Sequence, residues 1–211
     1  YHANCPDGFG AALAAYTQLG EVLVHYIPMQ YGDSVPTVES GSCVWLVDFS
    51  LPRQDLESLA RIARRVVVLD HHKTAAEALV ELPDPSHYMN QAEYNGLFAR
   101  FDMGKSGAVL AWEYFWPGLQ VPPLLAYIQD RDLWRWELPD SRAVSAGIRG
   151  LPKVFELWKQ YLNNIDSLIG QGRAVLAMIE EIANSDAKSF HLVDVGGIQP
   201  LFCVNATAFI R

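Results

Sequence analysis

The sequence predicts an α/β fold in which a mostly parallel sheet is flanked by helices. Strand-like and helix-like runs alternate in the first half of the chain, and this alternation is typical of parallel sheets with helices on their faces. The chain has 211 residues, half of them apolar, which is enough for one well-filled core with an appended subdomain. No apolar run approaches the roughly 18 residues that span a bilayer, so we expect no membrane partner.

Three strands are predicted in the first half of the chain. Residues 43–47 (CVWLV) form a short apolar run bounded by Gly41 and Asp48, which is typical of a buried strand. Residues 65–69 (RVVVL) are rich in β-branched side chains, which favour strands. Residues 21–27 (EVLVHYI) have the same character and complete the predicted set.

Helical patterns occupy much of the rest of the chain. One helix is predicted over residues 8–19, and another after Ser50, whose side chain can cap a helix with Pro52 in its first turn. A long helix is predicted over residues 166–185, although Gly170 and Gly172 weaken its start by about 1 kcal/mol each relative to alanine. The remaining predicted helices cover residues 106–115, 122–128 and 154–162.

Two further segments have other patterns. Residues 82–105 contain Pro, Asn and Gly and are predicted to be a long loop. Residues 190–195 and 200–204 flank Gly196-Gly197, which predicts a hairpin.

Charge and cysteine content limit the partners and the compartment. The formal net charge is −8, whereas a protein that grips long nucleic acid needs an excess of basic residues. Small phosphorylated substrates remain compatible with an acidic chain, since a local cationic pocket is enough to bind them. The three cysteines are far apart in sequence, and we expect reduced thiols in a cytoplasmic protein.

Acidic and imidazole groups follow the strand-like runs. Asp48 follows one run, Asp70-His71-His72 follow the next, and the Tyr1-His2 stub leads into Asp7. Because ligands bind at the carboxyl ends of parallel strands, we expect these groups to converge. Carboxylates and imidazoles suit Mn²⁺, Fe²⁺ or Zn²⁺, and two ions about 3.5–4 Å apart can drive a phosphoryl displacement. Asp48 is the candidate bridging ligand.

Five segments carry a resemblance to a known family. They are HANCPDGFGAA (2–12), VDFS (47–50), LDHHKTA (69–75), SGAVLAW (106–112) and DRDLWRW (130–136). In this order they resemble the successive motifs of the DHH phosphoesterase superfamily, most closely its "CPDGF" branch, over roughly residues 1–140. The resemblance implies a manganese-dependent phosphohydrolase, with one or two ions, which cleaves phosphate esters of small nucleotides or short oligonucleotides by metal-activated water. Mg²⁺ or another divalent metal is the alternative cofactor.

The resemblance also implies roles for individual residues. One ion would bind Asp7 and Asp48, with His2 as a further ligand, and the second would bind Asp48, His71 and a late aspartate. Asp130 and Asp132 are the two candidates for the late aspartate, and the aromatic residues that follow favour Asp130. Asp70, His71 and His72 would form the catalytic group, with Asp70 orienting ligands or joining the metal. The expected substrate-binding residues are His72, Lys73, Ser106, Arg131 and Asp132.

The chain also departs from the commoner family pattern. Phe9 stands where many members have a second aspartate, and His2 lies one residue further from Asp7 than usual. The second ion therefore loses one expected ligand. This departure keeps a second hypothesis open, a catalytically weak nucleotide-binding or regulatory module of the same fold.

The resemblance predicts a division of the chain into three parts. Residues 1–164 would form the catalytic domain, 165–188 a linking helix, and 189–211 the beginning of a small C-terminal α/β subdomain that binds substrate and is incomplete here. A homodimer, in which a second subunit supplies the capping lobe, is one arrangement that would complete the cleft.

Overall fold

A parallel sheet forms the centre of the molecule. The structure is a computed structural model that describes residues 1–88, 95–188, 191–195 and 198–203. Within these residues, three parallel strands pair in the order β1 (Cys43–Val47), β2 (Arg65–Asp70) and β3 (Gly96–Phe101). The predicted α/β class with a parallel sheet flanked by helices is therefore confirmed.

The central strand β2 is buried on both faces. Val67 and Leu69 belong to one apolar core, whereas Val66 and Val68 belong to a second core on the opposite face. Successive side chains of a strand point to opposite faces of its sheet. This is why the strand appears in the sequence as a continuous apolar run and not as an alternating one.

Eight helices surround the sheet in the described part of the chain. The helix α1 is almost wholly buried, and its Gly10 lies so close to α4 that an added Cβ would be 3.1 Å from the Cβ of Ala108. None of the described helices is long and apolar enough to cross a membrane. The helices are α1 (Pro6–Leu19), α2 (Arg53–Ile62), α3 (Lys73–Ala78), α4 (Gly107–Phe115), α5 (Pro123–Asp132), α6 (Ser141–Arg149), α7 (Phe155–Tyr161) and α8 (Asp166–Ala187).

The C-terminal hairpin is confirmed in its backbone pairing. Strands β4 (His191–Val195) and β5 (Ile198–Cys203) are antiparallel. Residues 190, 196–197 and 204 of the prediction lie outside the described residues. The predicted division into three parts stays a prediction.

The predicted strand over residues 21–27 is wrong. Val22 and Leu23 are 90% and 93% exposed, and the segment is irregular. Pairing with the N-terminus begins at its last residue, where the Tyr1 amino group donates to the Ile27 carbonyl at 2.9 Å. It continues beyond the segment, where the Ala3 amide donates to the Met29 carbonyl at 2.8 Å and the Met29 amide donates to the Tyr1 carbonyl at 2.9 Å. The β-branched content predicted a strand, but a strand also needs a neighbour along its length.

Several local predictions also need correction. Ser50 does not cap α2, because its hydroxyl donates to the Leu51 carbonyl and the helix begins after Pro52. The predicted loop over 82–105 contains β3 and a 3₁₀ turn at Pro85–His87, while its residues 89–94 lie outside the described residues. The short helices α3 and α6 were not predicted.

The long helix α8 lies against α6 at two glycines. A Cβ on Gly172 would overlap the Ala143 carbonyl oxygen, and a Cβ on Gly147 would lie 2.5 Å from the Leu168 carbonyl oxygen. Gly172 therefore weakens the isolated helix but permits the close approach of the two backbones.

Candidate metal centre

The ends of two strands and two helices meet at one edge of the sheet. Asp48 directly follows β1, Asp70 is the last residue of β2, and His71 follows it. Asp7 lies in the first turn of α1, and Asp132 is the last residue of α5. The structure thus brings together groups from four separate parts of the sequence.

His71 lies at the centre of this cluster. Its Nε2 atom is 3.2 Å from Asp48 Oδ1 and 3.6 Å from both Asp7 Oδ2 and Asp132 Oδ2. On the other side of Asp48, His2 Nδ1 is 3.5 Å from Oδ2. Two groups of potential ligands therefore share the Asp48 carboxylate, in keeping with its predicted bridging role.

A tight turn holds Asp48 in place. Its φ of 51° lies in the left-handed region, which aspartate tolerates better than most residues, and its amide still donates to the Leu69 carbonyl at 2.9 Å. Gly107 packs so closely here that an added Cβ would overlap the Asp48 side chain. The start of α4 can approach the carboxylate only because residue 107 is glycine.

Asp7 is fixed by the N-terminus of α4. The amides of Gly107 and Ala108 donate to its two carboxylate oxygens at 2.6 and 3.0 Å. These helix amides are therefore engaged by a carboxylate of the chain itself. Ser106, expected to bind substrate, is fully buried and caps α4 through a hydrogen bond from the Val109 amide.

Asp70 positions both histidines. Its Oδ1 atom accepts a hydrogen bond from the His71 amide at 2.7 Å and lies 2.6 Å from His72 Nδ1. His72 is 37% exposed and so faces the open side of the cluster. Lys73, another expected substrate ligand, is 82% exposed and pairs with Glu77 at 3.8 Å on α3.

Crowded negative charge dominates the electrostatics of the site. Burial, followed by the charges of Asp48 and Asp132, raises the pKa of Asp7 well above its usual value, and burial also raises the pKa of Asp132. Burial opposes protonation of His71, but its hydrogen bond with Asp48 and the surrounding carboxylates outweigh that effect and raise its pKa to about 9. Burial likewise opposes ionisation of Asp48, yet the neighbouring imidazoles of His2 and His71 outweigh that effect and lower its pKa. Without a metal, protonated His71 therefore balances part of this negative charge; as a metal ligand it would be neutral.

The donor set fits a divalent cation. Asp48 Oδ2 and Asp70 Oδ2 are buried and accept no hydrogen bond from any described residue. Such oxygens are costly unless a cation or donor satisfies them. Potential ligand atoms within 4.8 Å of one another form three groups: Asp48, Asp70, His71 and His72; His2, Cys5 and Asp48; and Asp7, His71 and Asp132.

The structure corrects the preference for Asp130 as the late ligand. Asp130 is 4% exposed, and it accepts hydrogen bonds from the Glu137 amide at 2.9 Å, the Leu138 amide at 3.4 Å and the Ser141 hydroxyl at 2.5 Å. Asp132 is the residue that joins His71. Asp130 instead fixes the turn between α5 and α6.

We expect Asp130→Ala to destabilise the protein by about 2–3 kcal/mol, because it leaves three donors of the turn without their charged acceptor. The bonds of Asp130 lower its pKa despite its burial, so its contribution is present above the unfolded pKa and is lost as the pH falls through the folded value. Asp132→Ala should change the stability of metal-free protein by less than about 1 kcal/mol. Urea unfolding in EDTA measures the free energy of unfolding of both variants. Equal losses of stability would contradict the assignment of Asp130 to the turn and of Asp132 to the cluster.

Phe9 explains the departure from the family pattern. Its side chain is 1% exposed and stacks on Phe155 with ring centroids 4.7 Å apart. The position is therefore part of the core and offers no ligand.

Sequence reasoning missed Tyr31. Its ring lies near those of His2, Phe49 and His72, at 6.0, 5.0 and 6.5 Å between centroids. It lines an open groove with His2, Gln30 and Arg131. No local pattern marks it, since only the bridge between His2 and Met29 brings the segment to the site.

Comparison with known proteins gives one similarity. The chain is similar to an uncharacterized protein of Acanthamoeba polyphaga mimivirus, with 30% identity over 188 residues. The match covers 82% of this chain and 42% of the viral protein, so the chain spans about two fifths of the length of that relative. No family model matches the chain, and no solved structure matches it. The resemblance to DHH phosphoesterases therefore stays a prediction from the motifs.

Proposed function

We propose that the chain is a manganese-dependent phosphoesterase that hydrolyses phosphate ester bonds of small nucleotides or short oligonucleotides. The observation that supports this most strongly is the buried carboxylate cluster around His71, in which Asp48 and Asp70 each keep an oxygen without a hydrogen-bond donor.

The ligand chemistry favours an ion with oxygen and nitrogen donors. Asp7, Asp48, His71 and Asp132 would hold it, with His2 beside Asp48, and this set suits Mn²⁺, with Mg²⁺ as the alternative. A bound divalent cation would supply Lewis acidity that activates water and neutralises charge on a phosphoryl group. Cys5 lies near His2 and Asp48, but sulfur is a less suitable ligand for Mn²⁺ or Mg²⁺ than carboxylate oxygen or imidazole nitrogen.

His72 has the geometry of a substrate-facing group. Asp70 binds its Nδ1 atom, so Nε2 remains on the exposed side of the ring. The hydrogen bond to Asp70 raises the pKa of His72, which favours the imidazolium form. In that form, Nε2 donates to a phosphoryl oxygen and stabilises charge that develops during the displacement.

A second candidate function has support from Phe9. Because this core residue stands at the position of the second aspartate, a second ion would have one ligand fewer. A nucleotide-binding or regulatory module that binds one ion and turns over slowly is therefore the alternative.

A panel of substrates distinguishes the phosphoesterase from the nucleotide-binding module. Metal-stripped protein supplied with Mn²⁺ is expected to release product from bis(p-nitrophenyl) phosphate or from dinucleotides. His72→Ala should lower kcat by about 10²–10⁴-fold. His25→Ala is the matched control, since this exposed histidine is not part of the cluster, and it should retain wild-type kcat.

The remaining outcomes decide against hydrolysis. Nucleotide binding without turnover by the wild-type protein would favour the module. Turnover that persists at the same rate in EDTA would rule out the metal-dependent reaction.

A further inference from the structure

Three cations surround a cavity on the helical side of the molecule. The cavity has a volume of about 200 Å³, and Arg131, Arg149 and Lys153 line it together with Asn4, Ser145 and Trp158. Arg131 lies in the last turn of α5, Arg149 ends α6, and Lys153 lies in the connection to α7. A small chamber with three positive groups is unusual in a chain whose net charge is −8.

These three cations have no carboxylate partner among the described residues. Six other lysines and arginines of the described residues form ion pairs. Arg131 is half-buried, and Arg149 and Lys153 are exposed. The ion pairs include Arg53 with Glu57 at 3.0 Å, Arg173 with Asp140 at 2.8 Å and Lys105 with Glu113 at 2.8 Å.

Helix dipoles explain only part of the clustering of these three cations. A cation in the last turn of a helix is favoured by the negative end of the dipole, and this applies separately to Arg131 and Arg149. It does not explain why Lys153, which lies outside any helix, borders the same cavity. An anion in the cavity would be stabilised by all three groups at once.

The cavity adjoins the open groove that reaches the candidate metal centre at His2, which lies 3.5 Å from Asp48. Arg131 also lines the open groove formed by His2, Gln30 and Tyr31, and Asn4 is shared by the groove and the cavity. Arg131 therefore borders both the groove and the cavity. A ligand with two anionic groups could therefore reach both places.

We propose that this cavity is a second anion-binding site, which takes a phosphate monoester group of the substrate other than the phosphate that is hydrolysed. The link to hydrolysis rests on the proposed function, whereas anion binding itself does not. Guanidinium groups match phosphate oxygens with paired N–H donors, and the ammonium group of Lys153 adds a point charge. The preferred substrate would then be a nucleotide or short oligonucleotide with an additional terminal phosphate.

Binding of inorganic phosphate to metal-free protein tests the site directly. In EDTA, isothermal titration calorimetry of the wild-type protein should detect phosphate binding, and Arg149→Glu or Lys153→Glu should weaken it at least about tenfold. Arg61→Glu, the same charge change on the exposed face of α2, is the matched control and should bind as the wild type does. Circular dichroism and thermal melts confirm that each variant is folded.

The hydrolytic consequence is tested separately. With Mn²⁺, a dinucleotide that carries a terminal phosphate should have a KM at least about tenfold below that of its dephosphorylated form, and Arg149→Glu should remove this difference while kcat is retained. Wild-type protein that binds no phosphate, or Arg149 and Lys153 variants that bind it equally well, would overturn the proposal. Phosphate binding without any turnover would support the anion site and would contradict only the proposed hydrolase activity.

Discussion

Replacing Asp48 with asparagine is expected to abolish Mn²⁺ binding and Mn²⁺-dependent hydrolysis. The Asp48 carboxylate lies 3.2 Å from His71 and 3.5 Å from His2, and its Oδ2 atom has no hydrogen-bond donor. Loss of a group that merely orients a ligand costs about 10–100-fold in metal affinity, so loss of the shared carboxylate should cost more. The measurement is Mn²⁺ titration by calorimetry, together with kcat/KM on a phosphodiester.

Asparagine is the appropriate substitution at this position. Asparagine tolerates the left-handed backbone conformation of Asp48, so the variant should fold. At 100 times its Kd, Mn²⁺ should stabilise the wild-type protein by about 2.7 kcal/mol and leave the variant unchanged. Asp166→Asn, an exposed acid in the first turn of α8, is the control and should bind metal normally. Undiminished Mn²⁺ stabilisation of Asp48→Asn would contradict the assignment of this ligand.

Replacing Gly172 with alanine should cause one of the largest losses of stability available to a single methyl group. The added Cβ would overlap the carbonyl oxygen of Ala143 in α6, which is backbone and cannot rotate away. Overpacking in cores costs about 1–3 kcal/mol and occasionally more, and we expect a value at the upper end. The free energy of unfolding in urea is the quantity to measure.

Gly170 is a close control for this experiment. It lies two residues earlier in α8, and an added Cβ would meet nothing within 4 Å. Gly170→Ala should therefore stabilise the protein by about 0.4–1 kcal/mol through helix propensity and a less flexible unfolded chain. If both variants changed stability in the same direction by the same amount, α8 would not be packed against α6 as described.

Burial explains which strands could be predicted from the sequence. The continuous apolar run in β2 follows from its two buried faces, and the sequence records it directly. Strand β3 (GLFARF) was missed because Gly96 and Arg100 interrupt its apolar pattern, although it pairs with β2 along its whole length. Residues 21–27 have strand-like composition, but pairing partners are a tertiary property that composition does not record.

The convergence of the candidate ligands was predictable in outline, because Asp48, Asp70 and His71 lie at the ends of strands that share one sheet edge. The choice between Asp130 and Asp132 could not be predicted, because both lie near the end of α5 and have similar neighbours in sequence. Residues two apart on a helix point about 200° away from each other, so only one of the pair can face His71. The orientation of α5 in the fold decides which one, and no local sequence pattern records it.

Anomalous diffraction from a crystal soaked in Mn²⁺ tests the central claim most directly. The account predicts a manganese peak in contact with Asp48 and His71, with Asp7 or Asp132 completing the set, and with Asp130 still bonded to Ser141. A fully soaked crystal with no peak among these side chains, or with manganese bound only elsewhere, would contradict it.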